Sequence, residues 1–212
     1  MAKSVYSLVL NDDVMNLVDL TAQKIGISRS ALINKILSES LGLETVEKRI
    51  NDVFSVVERM IGEHRSMRFA QSGVGGVVIK SAIAFKYNPT VNYSVVLYKG
   101  DENYVGELRV TLRTTNEQLI RLVDEFFSLF VSFEQKYLDR PVVAEISHNK
   151  FLRLLKKPEF IVESSMIGEM ITNFISNLDE MIKLYFSLLG DKNIVRKLEN
   201  FYIKNVKPYT VI

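Results

Sequence analysis

Residues 3–43 read KSVYSLVLNDDVMNLVDLTAQKIGISRSALINKILSESLGL, and they contain the clearest succession of structural signals in the chain. The first eight, KSVYSLVL, are rich in β-branched and aromatic side chains and predict a strand over 3–10. Asn11 and the two acids after it are typical of a helix N-terminus, and apolar residues then recur at helical spacing. Gly26 is expected to end this helix, Ser28 to cap a second one and Gly42 to close it.

A single copy of these three elements has too little apolar surface to fold alone. A lone strand leaves both of its edges unpaired, and two helices of four turns or fewer bury little of each other. Pairing the strand with the same strand of a second copy satisfies an edge and enlarges the core. The sequence therefore predicts an obligate homodimer formed through residues 1–43.

The order of these elements resembles the ribbon-helix-helix family, the Arc, Met-repressor and CopG type of DNA-binding proteins. The resemblance lies in VYSLVL (5–10), NDDVMNLVDLTAQKIG (11–26) and ISRSALINKIL (27–37). Its closest part is IGISRSALI (25–33), at the turn between the two helices, and it covers about a fifth of the chain. It implies a homodimer that inserts a two-stranded antiparallel ribbon into the major groove of double-stranded DNA.

The resemblance also implies which strand residues face the DNA. Side chains alternate along a strand, so that if Tyr6, Leu8 and Leu10 face the helices, the residues between them face outward. In the family these outward positions touch base edges. The outward residues here are Lys3, Val5, Ser7 and Val9.

The start of the second helix is the expected phosphate contact. Ser28, Arg29 and Ser30 would offer free backbone N–H groups, hydroxyl donors and one positive charge to a DNA phosphate. Residues 1–43 hold four cations and four acids, so that the module itself is neutral and its non-specific affinity for DNA should be modest. Two basic clusters elsewhere are candidates for further DNA contacts, residues 64–68 and Arg153 with Lys156 and Lys157.

Residues 44–75 are predicted to be a connector. A helix over 44–70 carries a heptad-like seam at Val46, Ile50, Val53, Val57 and Met60. Two interpretations remain open for it, a coiled coil between copies or a helix lying on its own domain. QSGVGG (71–76) is the clearest break in the chain and is interpreted as a flexible hinge.

Residues 76–212 predict a domain of mixed helices and strands. Strand signals at 77–87, 93–99 and 104–113 indicate an antiparallel β-meander, and long helices follow from Asn116 to about Leu138 and from Ser164 or Ser165 to Gly190. Residues 140–157 are ambiguous, PVVAEI (141–146) suggesting a strand and FLRLLKK (151–157) a short helix. The fold class is therefore α+β, an N-terminal ribbon-helix-helix module plus a meander packed on long helices.

Several other classes of function find no support in the sequence. There are no cysteines and only two histidines, His64 and His148, so that no metal site and no cofactor is expected. GVGGVVIKS (73–81) fails as a phosphate-binding loop because Ile79 stands where the pattern needs glycine. Adjacent acids at 124–125 and 179–180 are interpreted as solvated helix surface, and the phenylalanines at 126–133 as core. No secretory signal or membrane span is visible, and we expect a cytoplasmic protein that is not an enzyme.

The sequence thus favours a dimeric transcriptional regulator that binds DNA specifically. The larger C-terminal domain would oligomerise the protein, for instance into a tetramer, or bind an unknown effector or protein partner. Its candidate surfaces are the apolar stripes at 46–60 and 167–188, unless these are buried within the monomer. The alternative function is an assembly protein that uses the ribbon-helix-helix module only to dimerise.

Overall fold

The computed structural model describes residues 7–41, 45–71, 75–86, 88–159 and 162–209. These residues confirm the α+β class, with six α-helices and a six-stranded antiparallel sheet among them. The chain divides into two compact units, Met1–Lys48 and Arg49–Ile212. Each unit has a core of its own and is described by itself below.

The first unit contains two helices joined by a tight turn, α1 (Asp12–Ile25) and α2 (Arg29–Ser40). Gly26 ends α1 in the left-handed conformation at φ 69°, which a residue without a Cβ adopts at no steric cost. Ser28 caps α2 as predicted, because its Oγ accepts a hydrogen bond of 3.2 Å from the backbone N–H of Ala31. Asn11 stands at the start of α1 but makes no side-chain cap bond.

The segment before α1 carries no strand in the described part of the single chain. Residues 7–10 have no regular secondary structure, and residues 3–6 of the predicted strand lie outside the described residues, as does Gly42. A β-strand needs a neighbour for its backbone hydrogen bonds, and the predicted neighbour is a second copy of the chain. The strand over 3–10 therefore stays a prediction.

The second unit is built around the sheet, whose strand order is β1-β2-β3-β4-β6-β5 with every pair antiparallel. The predicted meander supplies its centre, and the register aligns Ile79, Tyr93, Val110 and Phe151 across four strands. The strands are β1 (Arg68–Gln71), β2 (Gly76–Ala82), β3 (Thr90–Leu97), β4 (Tyr104–Leu112), β5 (Ala144–Ser147) and β6 (Lys150–Lys156).

One face of the sheet packs on the helices. The helices in contact with it are α4 (Glu117–Tyr137) and α5 (Ser164–Ser187). The other helices are α3 (Val46–Gly62) and α6 (Ile194–Phe201), the latter followed by a π-turn at Tyr202–Val206 and a 3₁₀ turn at Lys207–Tyr209. The phenylalanines of α4 are core, as predicted: the Phe127 ring stacks on Phe151 of β6 with 4.2 Å between ring centroids, and Phe130 contacts Phe174 and Tyr202. The aromatic layer joins the sheet to α4, α5 and the C-terminal turn.

Residues 49–71, which include most of α3, belong to this second unit, which differs from the predicted connector. α3 ends at Gly62, and β1 then pairs with β2, so the glycine-rich stretch joins two paired strands. Residues 72–74 of that stretch lie outside the described residues. The middle of the apolar seam of α3 is buried, with Val53 and Val57 at 2% and 0% exposure, and its end residues Val46 and Met60 are half-buried. Of the two interpretations left open, the structure supports a helix lying on its own domain.

Two further sequence interpretations are corrected. FLRLLKK is the strand β6, not a short helix, because alternation of buried Phe151, Arg153 and Leu155 fits a strand with one covered face. The stripe at 167–188 is the buried side of α5 and no free surface for assembly in the monomer, since Ile171, Phe174 and Leu178 are almost fully buried.

Candidate nucleic-acid interface

The first unit exposes much of its apolar surface. Its described core consists of Val18, Ala22 and Leu32, with Ile33 packed against them. Other apolar side chains along α1, α2 and the preceding segment stay open to solvent, among them Leu17 and Leu20 at 65% exposure. The remaining exposed apolar residues of this unit are Leu8, Val9, Leu10, Val14, Ile25, Ile27, Ile36, Leu37 and Leu41. A helix pair that leaves this much apolar surface uncovered needs a further layer to be stable.

The turn before α2 forms the polar end of this unit. The Ser28 Oγ caps Ala31 and lies 3.2 Å from the Ser30 Oγ, so the two predicted hydroxyl donors are neighbours. In the part of the chain that the structure describes, the backbone N–H groups of Arg29 and Ser30 have no hydrogen-bond acceptor. These two N–H groups lie at the N-terminus of α2, the positive end of the helix dipole, where an anion is stabilised.

Arg29 is held by an acid of the preceding helix. Its guanidinium Nη2 donates a hydrogen bond of 2.7 Å to Asp19 Oδ2, and its Nε contacts Asp19 Oδ1. The Arg29 side chain is 65% exposed and Asp19 is 37% exposed. An ion pair this accessible stabilises a fold by at most about 1 kcal/mol, so Arg29 can exchange its carboxylate for another anion at low cost. Asp19 is the residue of this candidate site that the sequence did not predict, since ten positions and a turn separate it from Arg29.

The predicted base-facing residues are only partly described. Ser7 and Val9 are exposed, Val9 completely, whereas Lys3 and Val5 lie outside the described residues. The contact of these base-facing residues with DNA remains a prediction, as does the phosphate contact of Ser28, Arg29 and Ser30.

The second unit shows that Arg153, one member of a predicted basic cluster, is not available to DNA. Arg153 is 2% exposed, its Nε donates to both Glu134 carboxylate oxygens at 2.9 and 3.0 Å, and its guanidinium lies over the Phe174 ring. Burial raises the pKa of Glu134 above its ordinary value, although the Arg153 charge opposes the shift. The strand alternation that buries Arg153 also separates it from Lys156 on the opposite face.

A second buried polar cluster centres on Asp179, which the sequence interpretation placed on a solvated surface. Asp179 is 2% exposed and accepts hydrogen bonds from Ser81 at 3.0 Å, Tyr93 at 2.9 Å and Lys183. The one sign of this burial in the sequence was that Asp179 directly follows Leu178, a residue of the apolar stripe of α5. All three donors are satisfied by the one carboxylate, so the cluster ties β2 and β3 to α5 rather than forming an open site.

The remaining candidates of the sequence lie apart from one another. The His64 Nε2 lies 3.3 Å from the Ser176 Oγ, and the His148 Nε2 lies 3.8 Å from a Glu117 carboxylate oxygen. Among the described residues no three side chains of the metal-binding types come together, and no helix is long and apolar enough to cross a membrane.

Comparison with known proteins gives no relative from which a function could be transferred. No known protein family, no curated protein and no solved structure matches the chain.

Proposed function

We propose that this protein is a homodimeric, sequence-specific DNA-binding regulator that reads DNA through its N-terminal unit. The observation that carries the proposal is the exposed apolar surface of α1 and α2, together with the polar α2 N-terminus at their turn. A second copy would cover the apolar side chains, and pairing of the segments before α1 would form the ribbon. The same arrangement leaves Ser28, Arg29 and Ser30 open to a phosphate.

The role of Arg29 in this proposal is an exchange of partners. In the free protein Arg29 is neutralised by Asp19, so the α2 N-terminus carries little net charge. A DNA phosphate would replace the carboxylate and receive the two free N–H groups of the turn as well. Non-specific binding by this unit is then weak, and affinity depends on the fit of ribbon and phosphate together.

Selection from a pool of random duplexes on the purified full chain tests the proposal. A two-fold symmetric dimer prefers DNA sites with the same symmetry, so wild type is expected to enrich a short inverted repeat. Ser7→Ala/Arg29→Ala should enrich nothing. Lys35→Ala, which removes an exposed charge farther along α2, is the matched control and should select the same repeat as wild type.

A third variant acts in the opposite direction. Asp19→Asn frees Arg29 from its partner in the unbound protein, so affinity for the selected repeat should rise. Arg29→Ala alone should instead make the salt dependence of log K shallower by about 0.9, because one phosphate contact is lost. No enrichment by wild type, or equal enrichment by the Ser7→Ala/Arg29→Ala variant, would show that the unit only dimerises the protein. The assembly role would then be the better account.

A further inference from the structure

The sheet of the second unit has one face that the described helices leave open. Side chains that alternate with the buried ones point to this face, and Lys80, Arg109 and Lys150 on it are exposed. The contacts of α4 and α5 with the sheet fall on the other face, at Phe151 and Tyr93. The open face is therefore a broad surface crossed by six strands.

The strand register places an all-polar row across one end of this face. Each member lies directly opposite the next on the neighbouring strand, and no acid interrupts them. In strand order the row is Arg68, Lys80, Asn92, Thr111, Lys150 and Ser147. Five strand spacings give it a length of about 24 Å. We call these six residues the basic row.

The cations of the basic row have no acidic partner among the described residues. Arg68, Lys80 and Lys150 are exposed and make no ion pair there. The next row shows the contrast, because its cation Arg109 pairs with Glu107. Arg68 and Lys80 also stand directly opposite each other, an arrangement of like charges that destabilises a sheet. Unpaired cations, two of which stand opposite each other at a cost in stability, are the basis for inferring an anionic partner.

We propose that the basic row binds the phosphate backbone of double-stranded DNA, in addition to the contact proposed for the N-terminal unit. This inference rests on the proposed function for the identity of the nucleic acid. The row combines three charges with three neutral hydrogen-bond donors in a line, which suits successive phosphates and carries no base-reading pattern. A row of about 24 Å is long enough to reach several phosphates on one side of a duplex, whose strands advance by about 3.4 Å of helix axis per phosphate.

Charge balance favours DNA over an acidic protein as the partner. The N-terminal module is electrically neutral, so its attraction to DNA is weak unless another part of the same chain supplies unpaired cations. The basic row supplies three of them. The row also includes part of the predicted basic cluster at 64–68, because Arg68 of that cluster is its first member.

Salt-dependent binding of the full chain to a fluorescein-labelled duplex of random sequence tests the inference. Lys80→Gln/Lys150→Gln should reduce the slope of log K against log salt concentration by about 1.8 and weaken binding about tenfold or more at moderate salt. Each single variant should give about half of that change in slope. The matched control is Lys192→Gln/Lys204→Gln, which removes two exposed charges next to α6, on the helical side of the sheet. It should bind like wild type.

Thermal unfolding of the same variants separates binding from folding. Lys80→Gln should melt no lower than wild type, since it removes the like-charge pair with Arg68. An unchanged slope in the Lys80→Gln/Lys150→Gln variant would overturn the inference and leave the face to a protein partner. An equal loss in the control would overturn it as well, because total charge alone would then explain the binding. Retained row-dependent binding without any enrichment of a repeat would sink the proposed function but not this inference.

Discussion

Asp179 shows how much of the second unit depends on a single residue. Its carboxylate accepts from Ser81 of β2, Tyr93 of β3 and Lys183 of its own helix. Removal of a partner from such a buried, charged network costs about 1–3 kcal/mol. The same network fixes the protonation of Tyr93: burial first, and then the Asp179 charge and hydrogen bond, raise the pKa of Tyr93 well above its ordinary 10.

This pKa shift predicts a loss of stability at alkaline pH. The folded state holds the Tyr93 proton more tightly than the unfolded chain does, so the contribution is complete below pH 10 and falls as pH rises above 10. Tyr93→Phe should be less stable than wild type at pH 8 by about 1–3 kcal/mol, because the hydrogen bond to Asp179 is lost. Above pH 10 the gap between the two proteins should narrow.

Urea unfolding at a series of pH values between neutral and strongly alkaline checks this. Tyr104→Phe is the control, a half-buried tyrosine on β4 to which no side-chain partner is assigned in the described residues. It should follow wild type throughout. A gap between wild type and Tyr93→Phe that stays constant above pH 10 would contradict the assignment.

At the scale of elements, the crossing of α3 and α5 depends on a glycine. A Cβ added to Gly168 would stand 2.7 Å from the Val53 carbonyl oxygen and 2.8 Å from the Val56 Cβ, both on α3. Contacts this short with backbone cannot be relieved by a rotamer change. The close approach at Gly168 lets the apolar seam of α3, including Val53 and Val57, pack into the second unit.

Gly168→Ala is therefore expected to destabilise the second unit. Alanine gains up to about 1 kcal/mol of helix propensity over glycine, but the overpacking costs about 1–3 kcal/mol, so the net change is a loss. Gly62→Ala is the matched control, because Gly62 is also helical and has no atom within 4 Å of an added Cβ. Thermal melting should place Gly168→Ala below wild type and Gly62→Ala at or above it; the reverse order would refute the account of this crossing.

The elements also show what the sequence could and could not predict. Local signals placed α1, α2, α4, α5 and the meander, because capping residues, Gly26 and apolar periodicity act within a few positions. β1 and β6 were missed, since a short strand at one edge and a strand with Arg153 on its covered face lack a clean alternation. Pairing is long-range: nothing near Arg68 announces that it will stand opposite Lys80, or that β6 will lie beside β4.

The residues of the candidate site were likewise predicted only in part. The Ser28 cap and the left-handed Gly26 follow from local chemistry, and both are seen. The partner of Arg29 was not predicted, because Asp19 meets it only after the chain has turned between α1 and α2. The burial of Asp179 and Arg153 was missed for a related reason. Each is accommodated by a partner far away in sequence, at Tyr93 and Glu134, and a composition-based reading assigns isolated charges to the surface.

For the whole molecule, the two units differ in how far a single chain can stabilise them. The second unit buries a continuous aromatic and aliphatic core between sheet and helices. The described core of the first unit consists of three buried side chains with Ile33 packed against them. Stability that comes from pairing with a second copy obeys mass action and depends on protein concentration. Stability that comes from a core within one chain does not.

Unfolding of the full chain should therefore proceed in two steps of different character. The first, loss of the α1–α2 unit, should shift by about 2.7 kcal/mol for about a hundredfold change in protein concentration, while the second stays fixed. Leu17→Glu places a charge on an exposed apolar position of α1 and should abolish the first unfolding step only. The control Gln23→Glu adds the same charge at an exposed polar position and should leave both unfolding steps unchanged. Far-ultraviolet circular dichroism in urea, with light scattering for the mass, measures this. Since the ribbon needs two copies, a monomeric wild type with one concentration-independent transition would remove both the dimer and the DNA-reading strand that depends on it.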